Sequence, residues 1–382
     1  MNSPHTFRLL HLADLHLGAT CAFLKEKAIE RTRDFERAFE RAAAFARDPN
    51  NGIKLVIIAG DLFDSHRPEA RLVQLVKREF AALRTAGVQV VVVPGTHDTS
   101  FYTNSVYRTE DFGDILLSLD TCEKPLPLEV AGQPIFIYTA VRGPTCGAVP
   151  LDKLTRIAND GLHIGVLHAA VQPESAMEFS DSELTVTLPA LATTHLDYIA
   201  LGHYHNFHEY HADDVTAVYP GTLEGKSFTE VGERYLITVT FTAHKPAVEK
   251  RPFNARTMRQ ETIDLDATAC SDQTELCQTI GRLADKDTIL RLTVTGNAEF
   301  SLDIPAAHAA LSDSFFFLEL IDETRLYSAR RVEQFTSEPT VRGIFVRKML
   351  EKIARAGSEQ EKDKLDMALK YGLMELAGTD AD

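Results

Sequence analysis

Five short segments of the chain place aspartate or histidine directly after runs of apolar residues. They are Asp14-Leu15-His16, Gly60-Asp61-Leu62-Phe63-Asp64, Pro94-Gly95-Thr96-His97-Asp98, His168 and Gly202-His203-Tyr204-His205. Each apolar run has the length of a buried strand, and the strands of an α/β sheet present ligand-binding groups at their carboxyl ends. The five segments are therefore predicted to meet at one edge of the fold.

The residue types in these segments suit a site for two divalent metal ions. Asp14 and His16 are two residues apart, so on an extended segment both side chains would point the same way and reach one cation. His203 and His205 repeat this spacing. The carboxylate of Asp61 could bridge two ions ~3.5–4 Å apart, the separation that clamps the attacking and leaving oxygens in phosphoryl transfer.

Each segment also has a simpler interpretation when it is taken alone. Asp14 and His16 could be solvated at a strand end, Asp64 could cap the helix that follows it, and His168 could be an ordinary core or loop histidine. The motif at 202–205 is moderately specific by itself. The occurrence of all five segments in this order favours the metal site. The other histidines are expected to be structural or exposed.

The elements that must position these residues are strands alternating with helices. Apolar runs predict strands at 7–12, 55–59 and 88–93, and apolar residues recurring at three- and four-residue spacing predict helices at 26–47 and 69–85. Further strands are predicted in closer succession at 135–139, 162–167, 197–201, 215–219 and 235–241. This pattern predicts an α/β fold with two packed sheets and helices outside them.

A polar segment with two prolines, at 245–259, is predicted to be a linker or a crossing strand that marks the main domain boundary. The chain is accordingly divided into domains at 1–250, 251–335 and 336–382. In the second domain, helices are predicted at 272–284 and 306–311 and strands at 288–296 and 315–321. In the third, apolar stripes predict two amphipathic helices around 341–354 and 365–376.

Composition limits the functions that this chain can have. Among its 382 residues, 40 Lys and Arg stand against 55 Asp and Glu, which gives a formal charge of −15. Because that charge repels polyanions, any contact with nucleic acid must be local, metal-assisted or helped by a partner. The five scattered cysteines, Cys146 among them, indicate a reducing compartment, and no long apolar run is present, so a cytoplasmic protein without a membrane span is expected.

The ordered set of metal-site motifs resembles that of the calcineurin-like metallophosphoesterases. Within that group, four segments are similar to the SbcD-type nucleases of DNA double-strand break repair, and most similar to their YhaO-like branch. These segments are HLADLHLG at 11–18, AGDLFD at 59–64, YIALGHYHN at 198–206 and YPGTLEGKSFTEVGERY at 219–235. The tail segments GIFVRKMLEKI and ALKYGLMEL, at 343–353 and 368–376, are similar to the same branch.

The resemblance implies a four-layer αββα metallophosphoesterase sandwich, a small α/β capping domain and C-terminal helices that dock on an SbcC-like coiled-coil ATPase. It also implies two divalent metal ions, usually manganese, and favours a homodimer formed near the Thr96 loop. One ion would be held by Asp14, His16, Asp61 and His205. The other would be held by Asp61, His168, His203 and the residue at position 96.

Thr96 departs from the family pattern, which has asparagine at this position. A hydroxyl on a shorter arm is a poorer ligand than an amide oxygen, so a weaker second metal site is expected. The resemblance also implies that His97 acts on the scissile phosphate or the leaving oxygen and that Asp98 orients it.

The reaction expected from these residues is hydrolysis of DNA phosphodiesters. DNA contacts are expected from loops around the site, at Tyr102, Tyr107, Arg108, Lys226 and Arg234. Two alternatives stay open. One is a phosphatase or cyclic-nucleotide phosphodiesterase that uses the same metals, and the other is a non-catalytic scaffold in which Thr96 marks a decayed second site. The sequence does not give the polarity of digestion or the balance of exonuclease and endonuclease activity.

Overall fold

A computed structural model describes residues 6–141, 153–158, 160–172, 184–268, 270–298, 300, 302–325 and 329–377. Cys146 lies outside these residues, as does the end of the predicted third domain, 378–382. The chain forms two compact units, Met1–Thr257 and Met258–Asp382. The division falls inside the polar segment at 245–259.

The first unit is built from strands and helices that alternate at first and then give way to closely spaced strands. In chain order they are β1 (Thr6–Leu12), α1 (Ala28–Arg47), β2 (Leu55–Ala59), α2 (Ala70–Thr85), β3 (Gln89–Val93), α3 (Val106–Thr109), β4 (Leu116–Leu117), β5 (Leu126–Val130), β6 (Gln133–Ala140), β7 (Leu162–Gln172), β8 (Leu184–Thr187), α4 (Leu188–Ala192), β9 (Tyr198–Gly202), β10 (His208–Ala212), β11 (Val215–Tyr219), β12 (Tyr235–Thr242) and β13 (Lys245–Pro252).

These strands form two sheets. The first has the order β13-β12-β1-β2-β3-β4, and the second has the order β10-β11-β9-β7-β6-β5, with β8 paired to β7. In the first sheet β1, β2 and β3 run parallel, and β12 is antiparallel to β1. In the second sheet β7 runs parallel to both β6 and β9. The carboxyl ends of β1, β2 and β3 therefore lie at one edge of the first sheet, and those of β6, β7 and β9 lie at one edge of the second.

The sheets pack face to face, and side chains alternate between two cores along each strand. Leu9 and Ile57 point into the core between the sheets, where they meet Ile164 of the second sheet. Leu10 and Ile58, one residue further along, join the core under α1 and α2. Because both faces of β2 are buried, its sequence LVIIA is a continuous apolar run rather than an alternating one, and β1 likewise has apolar residues at the successive positions Leu9 and Leu10. The predicted α/β sandwich of two sheets between helices is confirmed.

The structure decides two local points. The first part of the segment at 245–259 is a strand, which was one of the two alternatives, because β13 pairs along its whole length with β12 and forms the edge of the first sheet. Its many charged residues suit an edge strand, which must resist pairing with other chains. The apolar spacing that predicts the helix at 26–47 includes Ile29, but this side chain, in the first turn of α1, is 69% exposed and does not join the buried stripe.

The second unit contains a three-stranded sheet with two helices. Its elements are β14 (Thr257–Asp264), α5 (Gln273–Gly281), β15 (Asp285–Thr295), α6 (Ile304–Leu311) and β16 (Phe315–Asp322), and the sheet order is β14-β15-β16. Asp272 and Asp303 cap α5 and α6 by accepting hydrogen bonds from backbone N–H groups of the first turn. Leu276 and Leu311 of the helices pack on Leu292 of the sheet.

Three helices follow, where two were predicted: α7 (Ala329–Thr336), α8 (Val341–Ala354) and α9 (Glu359–Ala377). Helix α7 has eight residues, which is fewer than the 11–18 over which helical periodicity is recognised in a sequence. Phe335 of α7 packs with Val346 and Met349 of α8 and with Leu369 and Leu373 of α9. No helix in the described parts of the chain combines the length and the apolar character needed to span a membrane.

A buried ion pair ties α1 to the segment after β11. The side chains of Arg31 and Glu224 are both 0% exposed, and Arg31 Nη1 donates to Glu224 Oε2 at 2.7 Å. Arg31 also donates to the carbonyl of Gly225, and Glu224 accepts from the backbone N–H of Ala255. Burial raises the pKa of Glu224, whereas Arg31 acts to lower it. The guanidinium is therefore the main compensation for this buried carboxylate.

Replacing this guanidinium should destabilise the first unit strongly. Arg31→Met keeps most of the packing volume but removes the closest cation from buried Glu224 and leaves only the partly exposed guanidinium of Arg41, 3.6 Å from Oε1. We therefore expect the free energy of unfolding to fall by about 3–5 kcal/mol. Urea titration measures it. Arg37→Met is the matched control, since the Arg37 side chain lies on the same helix and is 61% exposed. A loss for Arg31→Met no larger than that of the control would contradict the assignment.

Candidate metal centre

All five predicted segments lie at the same edge of the two-sheet sandwich. Asp14 follows β1, Asp61 follows β2 and His97 follows β3, while His168 lies in the last part of β7 opposite Gly202 of β9. Backbone hydrogen bonds join the first two loops, from the N–H of Asp14 to Gly60 O and from the N–H of His16 to Asp61 O. The parallel strands thus bring residues of distant sequence position into one place.

The backbone at the site is bent rather than extended. Asp14, His16, Asp61 and His203 have φ angles of 51°, 45°, 49° and 115°. Such conformations cost on the order of 1–3 kcal/mol per non-glycine residue and persist only where surrounding structure enforces them. The expectation that Asp14 and His16 point the same way along an extended segment is therefore wrong. Their side chains converge because the chain turns sharply at both residues.

Two glycines permit the close approach of these loops. A Cβ atom at Gly95 would lie 2.2 Å from Asp61 Oδ1, and a Cβ atom at Gly202 would lie 1.8 Å from the carbonyl oxygen of Ala59. Neither position can hold a larger residue without moving a site loop. Glycine is therefore required at positions 95 and 202 because neighbouring atoms occupy the space that a side chain would need.

The four ligands predicted for the first ion come together. Ligand atoms of Asp14, His16 and His205 lie within 4.8 Å of one another. The Nε2 atoms of His16 and His205 are 3.1 Å apart, and Asp61 Oδ2 is 3.8 Å from His16 Nε2. Two imidazole nitrogens at this distance beside two carboxylates form a set of donors that suits a divalent cation.

A second group of ligands adjoins the first and shares Asp14 and Asp61 with it. Ligand atoms of Asp14, Asp61 and His168 lie within 4.8 Å of one another, and His168 Nε2 is 3.5 Å from Asp61 Oδ2. That same oxygen also faces His16, so Asp61 lies between the two groups as a bridging carboxylate must. Thr96 Oγ1 donates to Asp61 Oδ2 at 3.4 Å, which places the hydroxyl beside the second group.

His203 is placed differently from the other predicted ligands. Its backbone N–H donates to both carboxylate oxygens of Asp14, at 3.1 and 3.2 Å. Its ring packs edge-on against His168 with the ring centroids 5.4 Å apart. The close ligand groups found among the described residues do not include it. The role of His203 as a ligand stays a prediction.

Three histidines have their Nδ1 atoms occupied by oxygens, which leaves Nε2 for the centre. These Nδ1 contacts are His16 with Asp64 Oδ1 at 2.9 Å, His168 with Ala59 O at 3.0 Å and His205 with Glu230 Oε1 at 2.7 Å. Such contacts fix the tautomer and the ring orientation of metal-binding histidines. Among the described residues, His168 Nε2 is buried without a hydrogen-bond partner. A buried, unpaired nitrogen beside two carboxylates fits a metal ion.

The electrostatics of the site favour positive charge. Burial acts to raise the pKa of Asp61, but His168, His16 and His97 outweigh it and lower that pKa. Burial acts to lower the pKa of His168, but Asp61 and Asp14 outweigh it and raise that pKa. Burial lowers the pKa of His16, which keeps its ring neutral and able to coordinate. The field that these carboxylates create would stabilise a bound cation.

Asp64 and Glu230 hold metal-site histidines in place, a role that the sequence analysis did not assign to either residue. Helix α2 begins at Ala70 with Glu69 at its N-cap, so Asp64 is not the cap of that helix. The Asp64 carboxylate contacts His16 and accepts a hydrogen bond from Lys226 Nζ at 2.9 Å. Burial acts to raise the pKa of Asp64, but His16 and Lys226 outweigh burial and lower this pKa to about 2. Glu230 lies in the family-like segment at 219–235, and that segment was its only signal.

The orienting partner of His97 also differs from the expectation. His97 Nδ1 lies 3.3 Å from the carbonyl oxygen of Asp64, and 46% of its side chain is exposed. Asp98 is fully buried and accepts hydrogen bonds from the backbone of Gly95, the backbone of Phe63 and the hydroxyl of Tyr107. Asp98 therefore holds loops together, because its oxygens are taken up by these three donors.

Burial corrects two of the predicted DNA contacts. Arg234 is 3% exposed, and it donates to the carbonyl of His205 and to Asn206 Oδ1. Tyr107 is 4% exposed and bonds to Asp98. Lys226 is paired with Asp64. Tyr102 and Arg108 are exposed, and for these two the predicted DNA contact stays a prediction.

This arrangement of ligands agrees with a comparison of the sequence with known families. The family described as calcineurin-like phosphoesterase matches residues 7–207. The chain belongs to this family. The matched region begins within β1, extends past the end of β9 and includes every predicted metal ligand. The calcineurin-like fold implies divalent metal ions, and the converging donors at this edge of the sandwich fit them.

Relatives of this calcineurin-like phosphoesterase include proteins named for DNA repair. The metallophosphoesterase YhaO of Bacillus subtilis is 27% identical over 311 residues, which cover 78% of this chain and 74% of YhaO. The DNA double-strand break repair protein Mre11 of Methanosarcina mazei is 24% identical over 68% of this chain and 40% of that protein. Mre11 of Aeropyrum pernix is 28% identical over 68% of this chain and 64% of that protein. The match therefore spans less than two thirds of either Mre11.

Loss of Glu230 should weaken metal binding. In Glu230→Ala, His205 loses the acceptor that holds its ring, and changes of this kind typically lower metal affinity by roughly 10- to 100-fold. Titration calorimetry of Mn²⁺ into metal-stripped protein measures this. Glu230→Gln keeps an oxygen acceptor and should lose less. Glu233→Ala, at an exposed position three residues further on, is the control. Equal affinities for the alanine variants would show that the His205–Glu230 contact does not support the metal.

Proposed function

We propose that this phosphoesterase is a metal-dependent DNA nuclease of double-strand break repair. The observation that carries the proposal is the position of Asp61, whose Oδ2 faces His16 of one ligand group and His168 of the other. A carboxylate shared in this way suits two ions at the spacing that phosphodiester hydrolysis uses. The choice of DNA as substrate is supported by similarity to the two Mre11 proteins.

The residues of the site have two roles in the proposed reaction, metal binding and proton donation. Two divalent ions held by Asp14, His16, Asp61, His168 and His205 would supply Lewis-acid stabilisation of the phosphate oxygens. The mixture of imidazole and carboxylate favours manganese over calcium. His97 is half exposed beside His16, with the ring centroids 4.7 Å apart. Nδ1 faces the carbonyl oxygen of Asp64, so it carries a proton. In the imidazolium form, Nε2 also carries a proton, which it would donate to the leaving 3′-oxygen; solvent would then reprotonate the ring for the next turnover.

Two other functions remain as alternatives to this proposal. A phosphatase or cyclic-nucleotide phosphodiesterase would use the same metal centre, and the calcineurin-like domain alone would suffice for it. A scaffold with a decayed centre would not need three histidines held with Nε2 towards shared carboxylates. That observation favours an active enzyme over a scaffold.

Incubation of the metal-loaded protein with linear single-stranded and double-stranded DNA tests the substrate class. We expect cleavage with Mn²⁺, less with Mg²⁺ and none with EDTA. Bis-p-nitrophenyl phosphate and p-nitrophenyl phosphate serve as a small diester and a monoester. Hydrolysis of the monoester without cleavage of DNA would replace the nuclease by a phosphatase, and no hydrolysis of any substrate would favour the scaffold.

His97→Ala should separate catalysis from metal binding. General acid catalysis contributes about 10²- to 10⁴-fold, so we expect the rate of DNA cleavage to fall by at least ~100-fold. Metal content, measured by elemental analysis, should not change, because His97 is outside the ligand set assigned to the two ions. His211→Ala, whose side chain is 68% exposed on β10, is the control. A cleavage rate close to that of the unaltered protein would remove His97 from the mechanism.

The C-terminal helices are the proposed docking element for an SbcC-like coiled-coil ATPase. Their inner faces pack on one another, yet several large apolar residues remain outside that packing. On α8 these are Val341 at 71% exposure and Ile344 at 48%, and on α9 they are Met367 at 55% and Tyr371 at 57%. This arrangement supports helices that fold together and still present an apolar surface to a partner. A homodimer, a cytoplasmic location and a weakened site at Thr96 stay predictions from the sequence.

Substitutions at that surface should remove partner binding without unfolding the helices. The double variant Ile344→Ser and Met367→Ser changes only exposed side chains, so thermal stability should be kept. Co-purification with an SbcC-like ATPase expressed beside it should be lost. The matched control changes two exposed charged residues of the same helices, Lys348→Ser and Lys364→Ser. Undiminished co-purification of the Ile344 and Met367 variant would place the docking surface elsewhere.

A further inference from the structure

The tyrosine between the two histidines of the 202–205 motif is an aromatic surface at the rim of the metal centre. Tyr204 is 40% exposed, although it is flanked in sequence by His203 and His205. Its ring centroid is 5.2 Å from that of His203 and 5.0 Å from that of Tyr219. A large apolar ring that stays partly in solvent beside such a site is not explained by core packing.

The support beneath this ring is rigid. Tyr219 is fully buried, and its hydroxyl donates to Ala169 O at 2.6 Å and accepts from the N–H of Val171 at 2.9 Å. Tyr210 also packs against Tyr219, with the ring centroids 6.1 Å apart. Tyr204 therefore rests on a fixed aromatic wall, and little conformational freedom remains to be lost when a ligand covers it.

The position of the ring limits what can cover it. A phosphate bound by the ligands of the centre would carry its organic substituents along the rim, and Tyr204 is adjacent in sequence to His205, one of those ligands. In a nucleic acid each such substituent is a nucleoside with a flat base. Base stacking on aromatic side chains needs no positive charge, so the formal charge of −15 does not oppose it.

We propose that Tyr204 is a substrate-positioning residue that stacks on the nucleobase next to the scissile phosphate. The ring would hold that nucleotide out of its own base stack and fix the phosphate over the centre. It would also give the site a preference for nucleotides over small diesters. This inference rests on the proposed nuclease function, since it requires a base beside the phosphate that is cut.

The test compares oligonucleotides with and without a base at the cleaved position. For single-stranded DNA we expect Tyr204→Ala to lower kcat/KM by about 5- to 150-fold, the range for loss of one base-stacking contact. For the same strand with abasic sites on both sides of the scissile phosphate, the unaltered protein and Tyr204→Ala should give equal rates. Tyr204→Phe should behave as the unaltered protein. His211→Ala, at an exposed residue of β10 outside the proposed sites, is the control.

Fluorescence gives a readout that does not depend on turnover. A 2-aminopurine base beside the scissile phosphate should be quenched on mixing with Mn²⁺-loaded protein, before cleavage, and Tyr204→Ala should abolish the quenching. Metal content of each variant shows that the centre is intact. Equal losses on normal and abasic strands, or unchanged quenching, would overturn the stacking role while leaving the nuclease in place. Absence of DNA cleavage by the unaltered protein would instead overturn the nuclease proposal, and this inference with it.

Discussion

Two carboxylates buried side by side impose the constraint on which the rest of this structure depends. Asp14 is 0% exposed and Asp61 is 2% exposed, and burying charges of one sign together is costly unless cations and hydrogen bonds compensate them. Backbone N–H groups of His203 and His97 supply part of that compensation. Imidazoles supply the rest within the chain, and divalent ions are the compensation that the donor set fits. The strained backbone at the site persists because the paired strands enforce it.

A single segment after β11 organises the outer side of the centre. Residues 219–235 provide Glu230 for His205, Lys226 for Asp64 and Arg234 for the carbonyl of His205. The segment is held in turn by the buried pair of Arg31 and Glu224. Lys226 and Arg234, which the sequence analysis predicted as DNA contacts, thus hold residues of the metal centre in place. The cost of removing these two cations from water is offset because each donates a hydrogen bond to an acceptor.

An acidic protein that acts on a polyanion must bind it by local means. With divalent ions bound, the centre itself would attract phosphate, and the proposed stacking of a base on Tyr204 would add a contact that does not depend on positive charge. The proposed partner would supply the remaining affinity through the C-terminal helices, whose exposed apolar residues lie apart from their own packing. The metal ions would then bind the phosphate, Tyr204 would bind a base, and the C-terminal helices would bind the partner.

The sequence alone predicted the α/β architecture, most strand and helix positions and the five segments that meet at the candidate metal centre, because periodicity and strand-end motifs are local properties of the chain. The tertiary structure decided the supporting contacts. His16 and His205 are 189 residues apart in sequence, and sheet register decides which oxygens face their Nδ1 atoms. The roles of Asp64, Glu230 and Asp98, and the burial of Tyr107 and Arg234, depend on neighbours that no local pattern specifies. Burial and hydrogen-bond partners are set by packing between distant segments, so they become known only when the fold is known.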